Sequence, residues 1–314
     1  MDRVALRHFT HNAKDFLTVT KNDYKQWVFR YTFLELDKDL GESGDITTDS
    51  VVDGGMKTAR VVVEEDGVVA GLEEVKYFLV DSDPRFRPRV GNFELKFLKE
   101  DGDKVSSGDI VCEITADVRD ILKVERVVLN LLMRMSGVAT LTRRYVDMVG
   151  DDVLLTPTRK TLWGWLDKKA CVLGGGGTHR LNLSDAVMVK DNHLDVLGGS
   201  ASNAMKKISE ANVDARFVEI EVESKEGAVK AAEALVNFAS DTPLCVLLDN
   251  MKPDEAKSAI DAVREAGYLD QVLVEASGGI TEKNLVEYAK TGVDIISMGS
   301  LTMPGDALSL KMEF

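Results

Sequence analysis

The sequence predicts an α/β protein of two domains, the second of them a β/α barrel. Three observations carry that prediction. From about Val124 onward, short apolar runs alternate with helical segments: Val153–Leu155, Ala186–Val189, Phe217–Val222, Leu244–Leu248, Val272–Val274 and Ile295–Met298. That is the pattern of buried parallel strands joined by crossover helices. Six or seven such units in succession suit a barrel better than an open, doubly wound sheet, which is the structural alternative. At 314 residues the chain is long for one ordinary domain and comfortable for two.

Taken in chain order, residues 1–29 match no motif and receive no role. The N-terminus, MDRVALRHFTHNAKDF, is too charged for a signal peptide. Trp27–Leu40 predicts a helix, with Val28, Tyr31, Leu34 and Leu36 near helical spacing. Gly41–Asp49 is a loop rich in turn formers. Ala59–Val63, Gly67–Ala70, Phe93–Phe97 and Ile110–Ile114 are strand-like. Asp101–Val111 places two turns around a short strand, as biotinyl and lipoyl domains do. It has no lysine in an MKM or DKA tip, so a structural role is expected. Val124–Met148 predicts one long helix with Leu129, Leu132, Met133, Leu141 and Tyr145 on its apolar face. Later helices are expected over Ala201–Ala211, Lys225–Phe238, Pro253–Ala266 and Glu282–Thr291.

Composition narrows the functional class. Hydrophobic residues make up 44% and charged residues 29%, a globular balance with ample core material. A net charge of -14 argues against nucleic acid or anionic membrane as the main partner, though a local cationic pocket is compatible with it. No apolar run approaches the roughly 18 residues of a membrane helix. Cys112, Cys171 and Cys245 are far apart and form no CxxC, so reduced thiols in a cytoplasmic protein are expected and a zinc site is not. Cys171 is expected to pack.

Polar residues cluster just past the carboxyl end of each apolar run. Arg159 and Lys160 follow the first, Lys190, Asp191, Asn192 and His193 the second, and Glu221 closes the third. Asp249 and Asn250, then Ser277, Gly278 and Gly279, then Gly299 and Ser300 follow the rest. In a β/α barrel these loops share one mouth, where the chemistry sits. Between Arg159 and His193, six Lys or Arg face three Asp, a local +3 in an acidic chain. Arg159, Arg180 and Lys190 border apolar runs and glycines, so their charges imply an anionic ligand or carboxylate partners. Lys168 and Lys169 fit either that set or a solvated helix face. The Gly174–Gly177 run before His179 would let backbone amides approach a ligand. SGGI (277–280) and MGS (298–300) follow the last two strands, the usual phosphate grip of such barrels, and Thr281 is expected to cap the helix after SGGI. Glu221 and Asp249 suit sugar hydroxyls or a pyrophosphate-bound magnesium; neutralising the nearby lysines is the other reading.

ERVVLNLLMRMSGVATLT (125–142), TRKT (158–161), GGGGTHRLNLSDAVMVKDNH (174–193), EIEVE (219–223), LLDNM (247–251), EASGGIT (275–281), TGVDIISMGSLT (291–302) and GDITT (44–48) together resemble the quinolinate phosphoribosyltransferase family, also called nicotinate-nucleotide pyrophosphorylase. The resemblance implies an N-terminal α/β sandwich over 1–125, joined by 303–314, and a seven-stranded incomplete β/α barrel over 126–302. It implies transfer of phosphoribosyl from phosphoribosyl pyrophosphate to quinolinate with decarboxylation, giving nicotinate mononucleotide, with magnesium and no organic cofactor. It implies a homodimer, or a hexamer of such dimers, in which Arg126 reaches the partner's barrel mouth. Carried over by position, Arg126, Thr158, Arg159, His179, Arg180 and Lys190 would hold substrate, and Lys160 would contact phosphate. Glu221 and Asp249 would serve ribose and metal, and Ser277, Gly278, Gly279, Gly299 and Ser300 the 5-phosphate. The family's Thr-Pro-Gly-Leu-Arg after TRK is replaced here by Leu162, Trp163, Gly164, Trp165 and Leu166, which bears on the pocket rim.

Three rivals compete with that reading. Lys190 at a strand end could form a Schiff base in an aldolase-like barrel, but other cations crowd it. A paralogue could take nicotinate or another heterocycle, against which Arg126, Arg159 and Arg180 argue for a dicarboxylate. A non-catalytic binding protein is disfavoured by the complete acidic and phosphate motifs.

Overall fold

A computed structural model describes residues 1–85, 90–237, 241–305 and 307–314. In chain order the elements are α1 (Arg3–His11), α2 (Asn22–Leu40), α3 (Ile46–Val51), β1 (Met56–Val63), β2 (Gly67–Val68), α4 (Leu72–Lys76), β3 (Glu94–Phe97), β4 (Lys104–Val105) and β5 (Ile110–Asp117). Then come α5 (Val118–Val149), β6 (Leu154–Pro157), α6 (Trp165–Leu173), β7 (Val187–Val189), α7 (Asp191–Val196), α8 (Ala201–Ala211), β8 (Val218–Val222) and α9 (Lys225–Val236). Last are β9 (Leu244–Asp249), α10 (Pro253–Glu265), β10 (Leu273–Ser277), α11 (Leu285–Ala289), β11 (Ile295–Met298) and β12 (Leu310–Glu313). No helix of the described residues is long and apolar enough to cross a membrane.

The chain divides into two compact units. One comprises residues 14–143, 163–175 and 304–314. Its sheet has the order β12-β1-β5-β3, with every pair antiparallel, and β2 pairs with β4. α2 begins five residues before the Trp27 start expected from spacing. Tyr24 is the reason: it is fully buried and donates its hydroxyl to Glu74 Oε1 at 2.7 Å. Lys168 and Lys169 are buried, which corrects the solvated-face reading. Lys169 pairs with Glu73 and Glu74, so its charge is neutralised inside this unit. Asp167 takes two bonds from Arg134, at 2.9 and 3.0 Å. Cys171 packs as expected, and burial pushes its thiol up to about 12.

The other unit comprises residues 1–13, 144–162 and 176–303. Its six strands run in the order β6-β11-β10-β9-β8-β7, all parallel. Six strands, not seven, are found among the described residues. Beside β6, Gly177 donates its amide to Leu155 O at 2.8 Å, yet Gly177–Arg180 forms no strand. Each expected strand is present, Ile295–Met298 with the bounds expected and the others with a boundary moved by one to three residues. The expected end of α9 at Phe238 lies outside the described residues. α11 is shorter than expected and starts at Leu285, so Thr281 does not cap it. The Thr281 amide and the Asn284 side chain are engaged in the turn before it instead.

Candidate active site

The parallel register brings the strand ends level. Ser277 lies opposite Asp249 on one side and Ser297 on the other, and Glu221 lies opposite Leu247. Alternate residues of a strand share a face. Leu273, Glu275 and Ser277 therefore form one ascending row, and Glu219 and Glu221 another. At the foot of the rows, Leu154, Cys245, Leu273 and Ile295 make an apolar floor on which Leu6 of α1 packs.

At the carboxyl ends one cavity is lined by Thr158, Arg159, Lys160, His179, Arg180, Lys190, Glu221, Asp249 and Ser277, all singled out from sequence. Met188, Leu247 and Ser297 complete it and were not anticipated. Lys190 Nζ stands 2.5 Å from Glu221 Oε2. The TRKT turn is held locally: the Lys160 amide donates to Thr158 Oγ1 at 3.0 Å, and Thr302 Oγ1 donates to the Lys160 carbonyl at 2.7 Å. Burial, and then the Arg159 cation beside it, lower the pKa of Arg180. Burial raises the Asp249 carboxyl, Glu221 adds to this, and Lys190 and Lys160 oppose it. Two opposite tendencies thus meet: cations crowded together and an acid reluctant to ionise. A bound polyanion relieves the first, and a cation the second.

The glycines of the last two loops flank this cavity rather than line it. Gly278 has φ +87, and a Cβ there would fall 2.3 Å from Asn250 Oδ1 and 2.7 Å from Asn250 N. Only glycine fits that crossing of two loops. Gly279 also has positive φ, and Gly299 faces Thr158 and Lys160. Ser300 Oγ donates to Ile280 O at 3.1 Å. Arg126 is exposed on α5 and belongs to the other unit. The Gly174–Gly177 run departs from expectation, because the amides of Gly174, Gly175 and Gly177 donate to Ala170, Val172 and Leu155 carbonyls rather than offering themselves to a ligand. His193 is exposed at the start of α7, its Nδ1 accepting from the Lys190 amide at 3.0 Å.

Sequence reasoning missed one group. Below the cavity, His11, His179, Glu219 and Glu275 converge, their ligand-type atoms within 4.8 Å of one another and all four residues buried. Burial, and then the neighbouring Glu275, push Glu219 well above the usual carboxylate range. Burial alone would raise Glu275 too, but His179 and His11 beside it hold it low. The available signal was a carboxylate inside an apolar strand, in FVEIEV and LVEAS. For His11 there was no signal in its neighbourhood.

Comparison with known proteins adds the family. Residues 45–136 match the family model for the quinolinate phosphoribosyl transferase N-terminal domain, and residues 138–313 that for its C-terminal domain. The chain is 39% identical over 275 residues to a probable nicotinate-nucleotide pyrophosphorylase [carboxylating] of Methanothermobacter thermautotrophicus, covering 86% of this chain and 92% of that one. It is 32% identical over 290 residues to a mitochondrial quinolinate phosphoribosyltransferase [decarboxylating] of Nicotiana tabacum, covering 89% and 80%. The solved nicotinate-nucleotide pyrophosphorylase of Francisella tularensis superposes with TM-score 0.77 at 29% identity, covering 92% and 96%.

Proposed function

The chain belongs to the quinolinate phosphoribosyltransferase family, and from that premise we propose how its cavity carries the reaction. The enzyme transfers phosphoribosyl from phosphoribosyl pyrophosphate to quinolinate with decarboxylation, yielding nicotinate mononucleotide, pyrophosphate and carbon dioxide. The observation that supports its assignment to this cavity is the convergence of Arg159, Lys160, Arg180 and Lys190 on one opening beside Glu221 and Asp249.

Quinolinate is a dianion. Arg159 and Arg180 present planar guanidinium forks suited to carboxylates, and Lys190 adds a third cation. The ring nitrogen attacks the anomeric carbon as pyrophosphate departs, so no side-chain nucleophile is needed. Lys160, fixed by its turn, takes the charge developing on the leaving group. The loops of Ser277–Gly279 and Gly299–Ser300 hold the 5-phosphate. After attack the ring is a pyridinium, whose positive nitrogen stabilises the carbanion left when the adjacent carboxylate departs as carbon dioxide, and that ring carbon then takes up a proton to give nicotinate mononucleotide. The protein contributes orientation and preorganised charge, and orientation can contribute roughly 7–11 kcal/mol in favourable cases.

Glu221 and Asp249 are hard oxygen donors and fit magnesium. Two carboxylates, one already paired with Lys190, are too few for a dedicated cage, so Glu221 and Asp249 would hold magnesium only together with pyrophosphate oxygens. When bound, it neutralises pyrophosphate charge. The exposed Arg126 is read as a residue offered to a neighbouring copy, making the working unit a dimer or an assembly of dimers in which sites are shared.

The test is purified protein with quinolinate, phosphoribosyl pyrophosphate and magnesium, assayed for nicotinate mononucleotide and carbon dioxide in equal amounts. A chelator should abolish both. Turnover of nicotinate but not quinolinate would overturn the assignment.

A further inference from the structure

α1 lies ahead of both family-matched ranges, yet it is built into the barrel unit. Arg3 bonds Asp294 through Nε and Nη2 at 2.5 and 2.6 Å and donates to the Leu269 and Val272 carbonyls, both at 2.9 Å. Arg7 donates to the carbonyls of Asp151 and Asp152. Those acceptors precede β10, β11 and β6, so α1 closes the end opposite the cavity, and Leu6 fills the floor. At its last residue the helix delivers His11, fully buried, with its ring stacked on Phe217 at 4.3 Å.

His11 then makes two kinds of contact. Its carbonyl accepts the amides of Thr178 at 2.7 Å and His179 at 3.1 Å, while the Ala13 amide donates to Thr178 Oγ1 at 2.9 Å. Gly177 permits this approach, since a Cβ there would lie 2.4 Å from the His11 carbonyl oxygen. Its imidazole Nε2 stands 3.0 Å from Glu275 Oε2, and the other oxygen of Glu275 stands 3.1 Å from His179 Nε2. His179 lines the cavity, and its backbone is in the left-handed region at φ 52. A residue held in that conformation needs surroundings that over-determine it.

We propose that His11 is a positioning residue for the substrate cavity: through the Glu275 carboxylate it sets the orientation of the His179 ring, and through its carbonyl it holds the backbone that carries His179 and Arg180. The tautomer follows from the other side of the ring. The Arg180 amide donates to His179 Nδ1 at 2.6 Å, so a neutral ring carries its proton on Nε2, beside Glu275. The same four side chains resemble a metal site, but that tautomer denies a metal the Nε2 lone pair of His179. The network is therefore assigned to protons.

The kinetic part of this assignment rests on the quinolinate reaction; the structural part does not. The test labels the four histidines with 15N and reads ring tautomers by NMR in wild type, His11→Ala and His11→Gln, with His179→Gln assigning the signal. Wild type should show His179 as the Nε2–H form, and His11→Ala should mix the tautomers. In His11→Ala, kcat/KM for quinolinate should fall on the order of 10-fold, as when a partner that orients a functional histidine is lost. KM for phosphoribosyl pyrophosphate should stay within about twofold, because the phosphate loops lie elsewhere. His11→Gln, whose amide can place a hydrogen-bond donor beside Glu275, should recover most of the loss. An Nδ1–H signal for His179 in wild type, or unchanged quinolinate kinetics in a folded His11→Ala, would overturn the proposal. So would a tightly bound divalent metal, one per chain, that His11→Ala releases. If wild type lacks the quinolinate reaction altogether, the functional assignment fails while the tautomer readout still decides the role of His11.

Discussion

Replacing Lys190 with alanine should abolish most activity without unfolding the protein. The side chain is 38% exposed at the cavity and pairs with Glu221, so its removal opens no void in the core. Two losses add on the catalytic side. A hydrogen bond to a charged group contributes roughly 1.5–3 kcal/mol. Glu221, freed of its partner, also becomes a net anion facing a dianionic substrate. Two unit charges about 5 Å apart interact by about 3 kcal/mol at an effective dielectric constant of 20, and half-exposure reduces that further. A total of about 3–4 kcal/mol corresponds to roughly 150–1,000-fold in kcat/KM. The pH profile supplies a second readout. Lys190 opposes the upward shift of Asp249, so its loss leaves that carboxyl protonated to higher pH. If the ionised acid is required, the acid limb of kcat/KM moves upward in the variant. Steady-state kinetics between pH 5 and 8, with circular dichroism and thermal melting as the fold control, would measure both. A folded variant within threefold of wild type, or an acid limb that moves down, would refute the reasoning.

Further expectations follow from other contacts. Gly278→Ala should raise KM for phosphoribosyl pyrophosphate by about tenfold or more, because the new Cβ displaces the Asn250 loop; steady-state kinetics at varied phosphoribosyl pyrophosphate would show it. Arg126→Ala and Lys190→Ala should each be nearly inactive alone, yet mixing them with subunit exchange should restore roughly a quarter of wild-type activity, since half the dimers are mixed and one of their two sites is intact. No recovery after confirmed exchange would assign Arg126 to its own chain. Arg134→Ala should cost about 3–5 kcal/mol in urea unfolding, because it removes the cation paired with the fully buried Asp167 carboxylate.

How far the sequence could be read depended on the range of the interaction involved. Strand and helix positions were legible because burial imposes a local period, and because polar residues stop each apolar run at the barrel mouth. Thr158, Arg159, Lys160, Arg180, Lys190, Glu221, Asp249 and Ser277 share one cavity because parallel strands in register end on the same side. Lys168 and Lys169 stayed open between two readings for the converse reason. Their helix looks solvated in isolation, and the carboxylates that neutralise Lys169 lie at Glu73 and Glu74, almost a hundred residues away. The Gly174–Gly177 run was misread: glycine signals close approach but not what approaches, which at Gly177 is the carbonyl of His11.

By itself the sequence determined the α/β class, the succession of strands and helices along the chain, the cationic segment within an acidic chain and the family-bearing motifs, since each is a property of residues a few positions apart. Tertiary structure alone decided that an N-terminal helix without motif closes the barrel floor and carries His11 to Glu275. The two residues are 264 positions apart and meet only because α1 is pinned to the strand beginnings by Arg3, Arg7 and Leu6. Buried charge is tolerable only where such partners converge, and convergence across a sheet leaves no trace in local spacing.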